Sequence, residues 1–241
     1  MLWRFKMTYR LSALAVCAVF AIASVCQASL GPLQVRVDDG VDAPITAIDQ
    51  GANDDNNIDG IVLLSTATTN WLTTISTGIS EPAIGSSTVP AMDLNSVNVT
   101  SMGNAGTIKI SFTGKYLPRD PVITDFTHSI GGTTQGTIET SLYIGTSAFD
   151  EGTLISTMTP TLSGVGPSSV FSDQTTGFDD GTDVDYWLTL TATITHEGGG
   201  PQTSSFNAAV DTAAIPEPAS IAIWTLMAGI GGLIWMRRRS K

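Results

Sequence analysis

The chain has 241 residues, 22 of them acidic against 11 basic, for a formal net charge of −11, and it contains 2 cysteines. That length suffices for one domain with a hydrophobic core of its own. The acidic excess excludes a protein that holds nucleic acid or anionic lipid by surface charge.

At the N-terminus, Arg4, Lys6 and Arg10 precede an apolar run from Leu11 to Val25, and Cys26-Gln27-Ala28 then offers a cleavage point ahead of Ser29. A basic region, a short apolar region and small residues in that order predict a secretory signal peptide over 1–28, with a retained N-terminal anchor as the other reading. Both cysteines, Cys17 and Cys26, lie inside this segment, so the mature chain is expected to use neither disulfide nor thiol chemistry. Between Ser29 and Ile215 the basic residues are Arg36, Lys109, Lys115 and Arg119 against 21 acidic ones, a net charge of −17. Such a surface favours divalent cations or cationic polymers, or serves solubility alone.

From 29 to 207 the apolar residues alternate with polar ones, as in half-buried strands, with no long helical periodicity. Leu33, Val35 and Val37 alternate with Gln34 and Arg36; Ile108, Ile110 and Phe112 with Lys109 and Ser111; Ile138, Thr140, Leu142 and Ile144 with Glu139, Ser141 and Tyr143. The clearest run sets Leu188, Leu190, Ala192 and Ile194 against Thr189, Thr191, Thr193 and Thr195, with threonine expected on a solvated face. Further strands are predicted over 60–65, 71–75, 95–100, 122–130, 154–159, 168–172 and 204–210, separated by turns such as Asp38-Asp39-Gly40, Gly131-Gly132 and Gly198-Gly199-Gly200. Roughly ten short strands without crossover helices predict an all-β fold: a single antiparallel β-sandwich or jelly-roll-like ectodomain, flanked by the signal helix and a C-terminal transmembrane helix.

Two acidic loops interrupt the strands. In Asn53 to Gly60, the residues Asp55, Asn57, Asp59 and Gly60 match the opening of a calcium loop, but Thr66 stands where a bidentate carboxylate belongs. A weaker calcium site from Asp54, Asp55 and Asp59, with distant Asp49, is one reading; an ordinary solvated turn is the other. In the second loop Asp179, Asp180, Asp183 and Asp185 could clamp a cation just before Tyr186. Calcium is thus the candidate cofactor. Catalytic signatures are missing: the histidines are His128 and His196, each inside a strand-like run, and there is no G-x-S-x-G, H-E-x-x-H or phosphate loop. The chain is therefore expected not to be an enzyme. Trp71, Tyr116, Tyr143, Tyr186 and Trp187 are the aromatic residues available to stack on sugars.

After a spacer at 208–215, the segment 216–241 opens with Pro216-Glu217-Pro218-Ala219, continues as an apolar stretch with a predicted transmembrane helix over 220–236, and ends in Arg237, Arg238 and Arg239. Ala219 to Met236 would span roughly 27 Å as a helix, just short of the roughly 30 Å hydrocarbon core, a mismatch that snorkelling arginines absorb. By the positive-inside rule the tail stays in the cytoplasm and everything before Pro216 lies outside.

The Pro-Glu-Pro-Ala motif, glycine-containing apolar helix and arginine cluster together resemble the PEP-CTERM sorting signal of Gram-negative bacteria, a motif also labelled the ice-binding protein C-terminal domain. The resemblance covers about a tenth of the chain. It implies recognition by an exosortase-type membrane sorting protease, often alongside exopolysaccharide production. The expected function is that of an exported, non-catalytic envelope or extracellular-matrix protein, tethered in membrane lipid and released after processing, in contact with extracellular polysaccharide and not with nucleic acid. The alternative is a calcium-dependent, lectin-like carbohydrate-binding module in which Trp187 or Tyr186 stacks on a sugar beside Asp183 and Asp185.

Overall fold

The structure is a computed structural model and describes residues 31–118, 124–163, 168–179 and 184–212. The signal segment 1–28, the spacer beyond Thr212, the Pro-Glu-Pro motif with its helix and arginines, and Asp180 and Asp183 lie outside the described residues.

Twelve strands form two antiparallel six-stranded sheets, and no helix occurs among the described residues. The strands are β1 Gln34–Asp38, β2 Ile45–Ile48, β3 Ile61–Ala67, β4 Trp71–Ile79, β5 Ala91–Ser101, β6 Gly106–Tyr116, β7 Thr124–Thr134, β8 Thr137–Gly145, β9 Thr153–Met158, β10 Ser169–Asp179, β11 Tyr186–His196 and β12 Gln202–Thr212. Sheet A runs β2-β1-β6-β11-β8-β9 and sheet B runs β10-β7-β12-β5-β4-β3. The inward halves of the alternating runs make one core shared by both sheets: Val35, Ile110, Phe112, Leu142, Leu188 and Leu190 from sheet A, Ile75, Leu94, Val97, Phe126, Phe206 and Val210 from sheet B. Each such side chain contributes roughly 1.5–3 kcal/mol on burial.

Several expectations are corrected. Strand β2 was not foreseen, because its four residues are too short to show a period. Gly131-Gly132, expected as a turn, lies inside β7: a Cβ on Gly132 would stand 2.2 Å from the Ser205 carbonyl oxygen, so the neighbouring strand demands glycine there. Strand β12 runs to Thr212, so the sandwich takes up the first part of the expected spacer. Two of the four outward threonines of β11 are not solvated: while Thr193 and Thr195 are half-buried, Thr189 and Thr191 are buried in mid-sheet. Their hydroxyls are hydrogen-bonded, Thr189 with Thr113 Oγ1 at 2.9 Å and Thr191 to the Ser141 carbonyl at 3.3 Å. The β8–β9 loop reaches the same sheet, with Phe149 beneath the Arg36 guanidinium and Glu151 paired with Lys109.

Strand register places the loop 53–60 and the two residues flanking the second acidic loop, Asp179 and Asp185, at one end of the sandwich. There Gln34 faces Ile48, Ile61 faces Ile79, Tyr116 faces Tyr186 and Ala91 faces Asp211, so β2, β4, β6, β10 and β12 finish there while β3 and β11 begin there. At the opposite end Trp71 faces Ser101, Ser101 faces Gln202 and His196 faces Gly106.

Candidate functional site: a polar groove on sheet B

Strands β10, β7 and β12 lie side by side, and their register stacks two rows across the outer face. One row is Ser172, Gly131 and Asn207; the other is Gln174, Ser129 and Ala209. Because alternate residues share a face, two small residues, Gly131 and Ala209, leave a depression between hydroxyl and amide walls. The result is a groove of about 360 Å³ lined by these residues together with Asp173 and Ile130.

A β-bulge shapes one wall. The pairing of β12 with β5 shifts between Phe206 and Ala208, and the intervening Asn207 accepts the Ser96 N–H through Oδ1 at 2.7 Å. Its amide NH2 is thereby oriented as a donor. Ser129, Ser172 and Gln174 add further donors, while Asp173, opposite buried Ile130 and so on the other face of the strand, accepts the Gln174 N–H through Oδ1 at 2.8 Å. Two steps along β10 from Gln174, about 13 Å away by strand rise, Phe178 stands 64 % exposed on the same face. Chemically, this surface can hydrogen-bond a polyhydroxylated chain and stack one ring. A lone carboxylate supplies neither the paired acid and base of glycoside cleavage nor a nucleophile with its base.

The sequence-predicted residues fall elsewhere. Asp54 spends both oxygens on the backbone: Oδ1 accepts the Asn56 and Leu63 N–H groups at 3.0 and 2.9 Å, and Oδ2 accepts the Gln50 N–H at 3.0 Å. It closes the loop over β3, which is an edge strand of sheet B and would otherwise offer free N–H groups to another chain. Asp55 and Asp59 are exposed. Asp185 pairs with Lys115 at 2.8 Å, and Asp179 is the last residue of β10. Among the described residues, no three carboxylate, imidazole or thiol groups stand together around a point where a metal ion would sit.

Of the expected sugar-stacking rings, Trp71, Tyr116 and Tyr186 are core residues, so Tyr186 cannot serve as a stacking platform; Tyr143 and Trp187 are half-buried on sheet A. Both histidines are fully buried and inward-facing. His196 has Nδ1 at 3.0 Å from Ser101 Oγ, Nε2 at 2.9 Å from Ser204 Oγ, and its ring 4.9 Å from that of Trp71. His128 Nδ1 meets Ser156 Oγ at 3.0 Å, joining the two sheets. Burial lowers the pKa of both, that of His128 to about 4.

No family model matches the chain, and no curated protein matches it. Among solved structures, the carbohydrate-binding module TmCBM61 in complex with β-1,4-galactotriose aligns over 58 % of this chain and 88 % of its own at 8 % identity and a TM-score of 0.29. The K1 cleaved adhesin domain of Lys-gingipain from Porphyromonas gingivalis aligns over 64 % and 99 % at 11 % identity and TM-score 0.30. A carbohydrate-binding module of the β-sandwich superfamily aligns over 76 % and 75 % at 15 % identity and TM-score 0.27. Similarity this low carries no weight for ligand or activity, and the site stands on its own geometry.

The groove itself escaped the sequence. Its walls come from three strands far apart in the chain, and the local signals, Gly131-Gly132 and scattered Ser, Asn and Gln, read as turns and solvated positions.

Proposed function

We propose that this chain is an exported, membrane-tethered, non-catalytic envelope or extracellular-matrix protein that binds extracellular polysaccharide along the outer face of β10, β7 and β12. The observation that carries the ligand class is the groove, with donors from Ser129, Ser172, Gln174 and Asn207 around a small-residue floor and exposed Phe178 further along the strand. A row of hydrogen-bonding side chains beside a stacking ring suits sugar hydroxyls and pyranose faces, and the net charge of −17 over Ser29 to Ile215 argues against polyanions. Sorting rests on the sequence alone: Pro216-Glu217-Pro218-Ala219, the apolar segment and Arg237, Arg238 and Arg239 suit an exosortase-type protease. Strand β12 ends at the acidic end, so a membrane tether beyond Thr212 would hold that end toward the lipid and leave the groove accessible on the flank.

Two measurements test this reading. Mass spectrometry of the protein from its native cells should find a new N-terminus near Ser29 and a C-terminus at or near the Pro-Glu-Pro; an intact C-terminal helix in all cell fractions would overturn the sorting proposal. Retention on the producing cells' own exopolysaccharide should fall at least about tenfold in the triple variant Gln174→Ala, Phe178→Ala, Asn207→Ala, as loss of a stacking ring and two hydrogen-bonding groups implies. Equal retention of the variant would remove the groove as the site.

A further inference from the structure

The acidic end contains a side chain that the polysaccharide reading leaves without a role. Glu81, between β4 and β5, is 7 % exposed, and both of its carboxylate oxygens are shielded from solvent with no hydrogen-bond donor among the described residues. A buried carboxylate without donors is costly. A basic group in the same cavity of about 10 Å³ is committed elsewhere: Lys115 lines it with Glu81 but turns its ammonium to Asp185 at 2.8 Å. The Tyr116 hydroxyl, also in that cavity, is engaged by Ser80 Oγ at 2.5 Å.

The neighbours of Glu81 add negative charge. Gly60, with φ of +79°, packs so closely on the Glu81–Pro82 junction that a Cβ there would stand 2.8 Å from Pro82 Cδ. That contact brings Asp59 into Coulombic reach of Glu81. Asp59 also stands in Coulombic reach of the Asp49 carboxyl. Asp49 Oδ2 accepts the Gly60 N–H at 2.8 Å, while its Oδ1 is buried without a donor. Three carboxylates thus follow one another around a single glycine, with three buried oxygens unsatisfied. One shared proton cannot serve both Glu81 and Asp49; a divalent cation offsets two charges at once.

We infer that Asp59 and Glu81, backed by Asp49, form a binding site for a hard divalent cation of the calcium type. Because no three of these groups surround one point, backbone carbonyls and water must supply the other ligands. Calcium accepts six to eight oxygens of mixed kind in flexible geometry, whereas zinc prefers nitrogen and sulfur and magnesium a strict octahedron. Exposed Asp59 provides the entrance, and the buried Glu81 carboxylate the floor. Asp54, expected as a ligand of the weaker calcium site, is already occupied by three N–H groups. The site is separate from the sheet B groove, so either can fail without the other.

The test uses the full-length chain stripped with chelator and titrated with terbium, whose luminescence Tyr116 at the cavity wall should sensitise. Calcium should displace the terbium and raise the unfolding midpoint. Glu81→Gln and Asp59→Asn should each weaken binding at least about tenfold, while Asp179→Asn, at the start of the other acidic loop, should bind as the parent does. No midpoint shift at millimolar calcium overturns the inference. So does calcium binding that survives Glu81→Gln and is lost in Asp179→Asn, which would place the ion at the second loop.

Discussion

The two ends of this sandwich differ in how a buried polar side chain at each, His196 at one and Glu81 at the other, is satisfied. At the end where β11 finishes, His196 is fully buried yet has a serine hydroxyl on each ring nitrogen, and Ser204, one of the two, also meets Thr134 Oγ1 at 2.7 Å. Across the core, Trp71 of sheet B lies against the His196 ring of sheet A. At the acidic end, both oxygens of Glu81 and Oδ1 of Asp49 are buried beside like charge with no donor. Satisfied buried polar groups lock two sheets in register. Glu81, with neither carboxylate oxygen satisfied, is where the proposed cation would be held.

If the His196 end is the architectural one, it should be the harder to damage without loss of the fold. Trp71→Ala removes a large core side chain and the ring beside His196, and should cost roughly 3–5 kcal/mol of stability. Urea unfolding of the full chain followed by circular dichroism measures this. A loss under about 1 kcal/mol would mean that the sheets are held mainly from the acidic end, and the contrast between the ends would be gone.

The second expected effect depends on pH and concerns His128, midway along β7. Its folded pKa of about 4 lies below the ordinary histidine value because burial disfavours the imidazolium. A base with a depressed folded pKa binds fewer protons folded than unfolded. Its contribution is therefore constant above roughly pH 6.5 and is lost as pH falls toward 4, by up to about 3 kcal/mol. Replacing it as His128→Gln, which retains a polar partner for Ser156, should flatten the stability profile between pH 6.5 and 4. An unchanged slope would shift the acid sensitivity to His196 or to the carboxylates.

How much of this was legible depends on the range of the contacts. The run Leu188, Leu190, Ala192 and Ile194 announced a strand because a period of two is a local property, and all four residues are core. The same rule misplaced Thr189 and Thr191: alternation reports which face a residue takes, and not whether neighbouring strands and the Phe149 loop leave that face wet. Glu81 carried no signal at all, since Ser-Glu-Pro reads as a turn. Its importance arises only when the β3–β4 hairpin folds and sets Gly60 on Pro82. The groove is still less local, because the order β10-β7-β12 brings strands together that no spacing rule connects. The acidic loop at Asn53 to Gly60 was recognised for its composition, but the carboxylate that fitted the pattern least, Asp49, is the one with a buried unsatisfied oxygen.

The smallest expected effect separates structure from ligand within that loop. Asp54 accepts three backbone N–H groups at the edge of β3, all within reach of solvent, so water can replace part of what Asp54→Ala removes. The loss should be about 1 kcal/mol, as for a helix N-cap that serves its orphan N–H groups in the same way. If Asp54 only closes the loop, this loss should be equal in calcium and in chelator, because the proposed ion rests on Asp59 and Glu81. A penalty that doubles in calcium would make Asp54 a ligand, restore the calcium-loop pattern at Asn53 to Gly60, and move the functional weight of the acidic end from the buried Glu81 to the exposed loop.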